Sequence, residues 1–274
     1  MNEICRKLLD DLTSMALDII PDVKDNKNFK KNPDCPLEHQ PEWHQFGIVT
    51  HTKKFVQFCQ TEAAGYLKKW GVYAQFSNHL AETIDGKSKF DLLMTSIPLH
   101  DIGKFDRDFI WNDGISKADY SGHEEKSKKL ILENPKICNK LRIYGLNKSQ
   151  VKYIASCAGN HYRLGILRNE AKESRLGYTI KFVDSIQCQK ACDEVAQKYP
   201  EFCIEIGILF LCDSLAKTDI KINAKTDLQI ERKTQYAVKK IQKAGLNQAL
   251  LAAVKQRPVN IALARRFLQH VTVT

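Results

Sequence analysis

Residues Phe90–Lys104 read FDLLMTSIPLHDIGK. Phe90 to Leu99 is apolar enough for a short buried helix, and it delivers an imidazole and a carboxylate side by side at His100 and Asp101. Neighbouring residues on a helix point about 100° apart. The two side chains can therefore share one ion only near a helix end or a distortion. Gly103 is expected to free the backbone to turn away after them. Borderline and hard divalent cations accept such a mixed nitrogen and oxygen set, and the carboxylate could bridge two ions. A buried histidine beside a capping aspartate would explain an isolated pair equally well, so the surroundings must decide.

Outward from this stretch the apolar spacing is helical almost throughout. Residues 2–20 read as an amphipathic helix stopped by Pro21, followed by a polar arm over 22–41. A helix is predicted from about Glu42 to the Trp70 region, with His44, Ile48 and His51 on one face. Residues 102–120 read as loop. Ser121-Gly122-His123-Glu124 has the form of a capping box that starts a helix at His123. Further helices are expected near 135–144, 148–160, 173–198, 202–218, 226–244, 246–256 and 258–271, the last two parted by Pro258. No segment alternates with period two, and the predicted class is all-α. Three regions follow: an N-terminal helix and polar arm (1–41), a central domain (42–220), and a basic helical extension packed on it (221–274).

Composition narrows the setting. The chain has 274 residues, 43% hydrophobic and 27% charged, with a mean hydropathy of −0.38. The longest apolar run, Phe202 to Cys212, contains Glu205 and suits a core helix better than a membrane span. The N-terminal residues lack the layout of a secretory signal, so a cytoplasmic protein is expected. Nine scattered cysteines without a CxxC pair argue against a disulfide framework or a zinc finger. The net charge of +10 favours polyanionic partners, nucleotides or nucleic acid first. A lysine-rich solvated surface accounts for the same number. The sequence leaves the oligomeric state open.

Four of the eight histidines, His51, His100, His123 and His161, stand at helix-adjacent places among apolar or small residues. Asp213 interrupts the most hydrophobic helix, where a carboxylate is costly to bury unless paired, hydrogen-bonded or metal-bound. By itself Asp213 fits a helix-helix hydrogen bond as well as a ligand; Asp184 is the competing acid, but it reads as a structural helix residue. The order H…HD…D formed by His51, His100-Asp101 and Asp213 resembles the HD superfamily of metal-dependent phosphohydrolases. Within it, the chain is most similar to the HD domain of bacterial CCA-adding tRNA nucleotidyltransferases. The likeness runs over about residues 44–220, through His51-Thr52, His100-Asp101-Ile102-Gly103-Lys104, Gly122-His123-Glu124, Asn160-His161, Phe182-Val183-Asp184-Ser185-Ile186 and Cys212-Asp213. There is no room for a nucleotidyltransferase domain beside it. Ser214-Leu215-Ala216 also stands where that family has Arg-Gly.

The resemblance implies an HD-type helical bundle and a first metal set of His51, His100, Asp101 and Asp213. His123 and His161 would extend it to a second ion. One or two divalent ions (Mn, Mg, Ni, Co, Zn or Fe) would serve, with Asp101 as the bridge and orienter of the nucleophilic water. Lys104 could contact a phosphate oxygen, and Arg163 and Arg168, read as loop residues, could clamp one. The expected activity is phosphomonoester or phosphodiester hydrolysis on nucleotides or nucleic-acid ends. A di-iron oxygenase of the same fold and a non-catalytic nucleic-acid-binding protein are the alternatives. His44 reads as a core or surface histidine, and His39, His79 and His270 carry no argument.

Overall fold

The computed structural model describes residues 1–19, 44–106, 111–112, 115–116, 122–173, 180–219 and 249–271. The polar arm over 22–41, the helix expected at 226–244, Cys35 and His39 lie outside them. The fold is all-α. Helix α1 (Glu3–Ile19) is followed by α2 (Ile48–Thr61), α3 (Ala63–Lys69), α4 (Tyr73–Ala81) and α5 (Lys89–Ser96). Then come α6 (His123–Glu133), α7 (Pro135–Ile143), α8 (Lys148–Asn160), α9 (Arg163–Glu173), α10 (Ile180–Val183), α11 (Ile186–Lys198), α12 (Cys203–Ala216) and α13 (Ala249–Val271). Two antiparallel pairs, β1 (Thr83–Ile84) with β2 (Lys87–Ser88) and β3 (Trp111–Asn112) with β4 (Ile115–Ser116), are the strands among the described residues.

The apolar run of the sequence becomes α12, buried from Glu205 through Ala216. It packs against α2 on one side and α13 on another, and α6 packs on α8. The buried carboxylate of Glu205 is held by the Tyr153 hydroxyl at 2.6 Å and by His79 Nε2 at 2.8 Å, which offsets its desolvation. His270 pairs with Asp193 at 2.7 Å. The described cysteines are free thiols, most of them in the core.

Several elements depart from the spacing of the sequence. The helix carrying His51 starts at Ile48 with Gly47 as its N-cap, so His44 lies outside the helix. Residues 163–173, read as loop up to Arg168, form α9. Gly165 disguises this helix in the sequence, but in the fold it lies against the Tyr162 ring, where a Cβ would come within 2.3 Å of a ring carbon. Within the helix expected at 173–198, α10 and α11 are separate, and α11 begins where the Ser185 side chain accepts from Cys188 N–H at 3.1 Å. Pro258 does not divide the last helix. It sits inside α13, where a lost hydrogen bond and ring crowding cost about 3 kcal/mol. Val259, Leu263, Phe267 and Leu268, all buried, offset that cost. Helix α6 does start at His123, but its N-cap is Gly122, in the left-handed region at φ 71°, without a side-chain cap. Ser121, and with it the capping box expected there, lies outside the described residues.

Candidate metal centre

The Ser88 side chain caps α5 by accepting from Asp91 N–H at 3.1 Å. The helix ends at Ser96, and Pro98 tightens the next three residues into a 3-10 turn, Ile97–Leu99. His100 closes that turn, and Asp101 follows in the bridge region at φ −107°, ψ 6°. This is the distortion that adjacent ligands need. The His100 Nδ1–H donates to the Ile97 carbonyl at 2.6 Å, which fixes the tautomer and turns the lone pair of Nε2 toward Asp101. Nε2 lies 3.1 Å from Asp101 Oδ2, buried without a well-aligned hydrogen bond.

Gly103 has a different role from the one read in its sequence context. Its backbone is pressed on the start of α6, where a Cβ would fall 2.1 Å from the His123 carbonyl oxygen and 2.6 Å from Ser127 N. The Gly103 N–H donates to Ser127 Oγ at 2.9 Å, and that hydroxyl donates to the His100 carbonyl at 2.7 Å. Close approach rather than turning freedom requires glycine here. It docks the first residue of α6, so that His123 Nε2 stands 3.1 Å from Asp101 Oδ1. His161 closes α8. Its Nδ1–H donates to the Ala158 carbonyl at 2.7 Å, and Nε2 lies 3.8 Å from Asp101 Oδ1. Across the cage, α2 presents His51 and α12 presents Asp213, with Nε2 and Oδ1 3.0 Å apart.

All six residues are buried, and the rings form a continuous row. His51 and His100 are 5.5 Å apart between centroids, His100 and His161 4.9 Å, and His161 and His123 5.4 Å. Three donor groups could each hold an ion: His51 with His100 and Asp101, Asp101 with His123 and His161, and His44 with His51 and Asp213. His44 belongs to this row, its ring 5.1 Å from that of His51. The seven-residue spacing of His44 and His51 carries no sign that a residue preceding the helix would fold back on it.

The electrostatics favour cation binding. Burial works to raise the Asp101 carboxyl, but His100, Lys104 and the bond from His123 outweigh it and hold it well below the usual carboxylate range. Burial likewise opposes ionisation of Asp213, and Lys217 and His51 override it. Burial pushes His161 well down, with His100 adding to the effect, and lowers His51 against the pull of Asp213. Neutral imidazoles and ionised carboxylates are the forms that bind metal.

Other residues fall differently. Lys104 Nζ lies 2.8 Å from Asp101 Oδ2, nearly buried. Arg168, expected as an open fork in a loop, is buried in α9; it donates to Asn260 Oδ1 at 2.5 Å and to the Tyr162 hydroxyl at 2.6 Å. It holds Tyr162 in place instead of presenting a fork to solvent. Arg163 donates to Asn160 Oδ1 at 3.0 Å and covers the Tyr199 ring. Asp184 is exposed between α10 and α11, outside the cage. Lys217, unnoticed in the sequence, pairs with Asp213 at 3.0 Å. Among the described residues no helix is long and apolar enough to cross a membrane. No family model, curated protein or solved structure matches the chain. The fold and site thus define an all-α protein with buried histidine and aspartate groups that could hold a metal ion.

Proposed function

We propose that the chain is a divalent-metal-dependent phosphohydrolase of the HD type, acting on nucleotides or nucleic-acid ends. One observation carries the reading. His51, His100, Asp101, His123, His161 and Asp213 come from five elements, in the chain order H…HD…H…H…D, and meet in one buried cage. His51, His100, Asp101 and Asp213 would hold one ion, and Asp101, His123 and His161 a second. The fit rests on the donor atoms: two imidazoles have Nδ1 tied to backbone carbonyls, and the Asp101 carboxylate lies between His100 on one oxygen and His123 and His161 on the other. When bound, a divalent ion supplies Lewis acidity, lowering the pKa of water and offsetting charge on phosphate oxygens.

The chain's own groups do the rest. Asp101 orients a water for attack on phosphorus. The Lys104 ammonium holds Asp101 in place and adds positive charge where phosphate oxygens gather negative charge. Water adds its oxygen to phosphorus, the ester P–O bond breaks, and the proton passes to the departing alkoxide. Assay of phosphomonoesters and phosphodiesters with Mn, Ni, Co or Mg tests the class. Metal-dependent turnover that disappears in Asp101→Asn is the expected result, and inert protein with metal bound would refute it. The abundance of imidazoles also suits a di-iron oxygenase. Iron with visible absorption in aerobically purified protein would favour that second reading.

A further inference from the structure

Two lysines are buried beside the cage, and each holds one of its carboxylates. Lys104 Nζ is 2.8 Å from Asp101 Oδ2 and Lys217 Nζ is 3.0 Å from Asp213 Oδ2, with 6% and 7% of their side chains exposed. Lys217 stands on the Asp213 side of the cage, where His51 and the part-buried His44 lie within reach of the same carboxylate. Lys217 is fixed there by several contacts. Its Nζ lies 4.7 Å from the centre of the Tyr162 ring, its main-chain carbonyl accepts from Gln45 N–H at 2.8 Å, and Tyr162 is itself held by Arg168.

An ammonium has three donors, so a lysine on a carboxylate can hold a phosphate oxygen at the same time. The charge balance goes further. Lys104 and Lys217 cancel Asp101 and Asp213, and Arg168 behind Tyr162 adds to the positive side. Whatever charge a divalent ion brings is then left over to attract substrate. One ion leaves at least two positive charges and a second ion leaves more, and a phosphomonoester dianion offsets more of that excess than a monoanion does. A phosphodiester carries only one negative charge.

We infer that Lys217, together with Lys104, makes this site selective for the terminal dianionic phosphate of a monoester over a phosphodiester. Lys217 is a specificity-determining residue of the hydrolysis proposed above, and the inference rests on that reading. Its test compares p-nitrophenyl phosphate with methyl p-nitrophenyl phosphate, which share a leaving group, on the metal-loaded full chain. Calorimetry of inorganic phosphate and of dimethyl phosphate supplies a readout apart from turnover. The expected kcat/KM is about tenfold or more higher for the monoester. Lys217→Gln should lower it about 10–100-fold, mainly through KM, as expected for loss of a charge-assisted hydrogen bond. The diester should change less than about threefold, phosphate affinity should fall with the monoester, and Lys217→Arg should restore much of both.

Equal or better diester cleavage, or equal losses on both esters in Lys217→Gln, would overturn the inference. If neither ester is cleaved while metal is bound, the hydrolase reading fails and the calorimetry decides alone. Preference for phosphate over dimethyl phosphate that depends on Lys217 then supports the selectivity, and equal affinities refute it. Should Lys217→Gln fail to fold by circular dichroism, the wild-type preference and the Lys217→Arg variant decide in the same way.

Discussion

Asp101 touches more of the cage than any other side chain: His100 and Lys104 on Oδ2, His123 and His161 on Oδ1. Asp101→Asn keeps its shape and removes its charge. The expected outcome is loss of bound metal with the helical circular dichroism retained, and full metal content in the variant would contradict the assignment. The imidazoles give a second prediction. His44, His51 and His161 have pKa values below the ordinary 6.5 in the folded chain. Between those lowered values and 6.5 the unfolded chain binds more protons, so stability rises with pH through this window and falls as pH drops below about 6.5. Asp101 and Asp213, depressed in the fold, contribute stability above pH 3.8 and lose it only in stronger acid. Melting of chelator-treated protein from pH 5 to 7.5 should show Tm falling toward pH 5, less steeply in His161→Gln. A flat profile would contradict the buried, neutral imidazoles.

At the scale of elements, two glycines let helices approach closely. A Cβ on Gly103 would meet the backbone of His123 and Ser127, which cannot step aside without moving α6. Gly103→Ala should cost at or above the upper end of the about 1–3 kcal/mol typical of overpacking, and weaken the second metal set by displacing His123. Chemical denaturation and metal titration check the two effects separately. A Cβ on Gly207 would fall 2.1 Å from Leu268 Cδ2 in the contact between α12 and α13. Leu268 is fully buried and has little room to yield. Gly207→Ala should destabilise by about 1–3 kcal/mol, and an unchanged denaturation midpoint would show that the contact is looser than described. The apolar periodicity of α12 and the start of α6 at His123 were legible because each depends on local residues. The continuity of α13 through Pro258 was not, because buried partners on α12 stabilise it. The α9 helix was hidden by Gly165, whose reason is the Tyr162 ring.

For the whole molecule, the order of histidines and aspartates was readable as a possible metal set before any fold. Its completion was not. His44 reaches His51 from outside the helix, and Ser127 ties His100 to Gly103 across 27 residues. Lys217 was visible four residues after Asp213, yet only burial of both makes the pair consequential. Because α2, α5 with its following turn, α6, α8 and α12 all contribute side chains, an ion bound in the cage ties distant parts of the chain together. A ligand at a hundred times its Kd stabilises a fold by about 2.7 kcal/mol. For a chain of this size that is a Tm increase of roughly 5–10 °C. Scanning calorimetry with and without Mn or Ni reads it, and equal melting in both would argue against a cage that closes on metal.

Above all, the cage is expected to hold metal. Elemental analysis of the full chain, dialysed after loading, measures it directly. One or two ions per chain are predicted for the wild type, with none retained in Asp101→Asn. A metal-free wild-type protein, or equal metal in both, would contradict it.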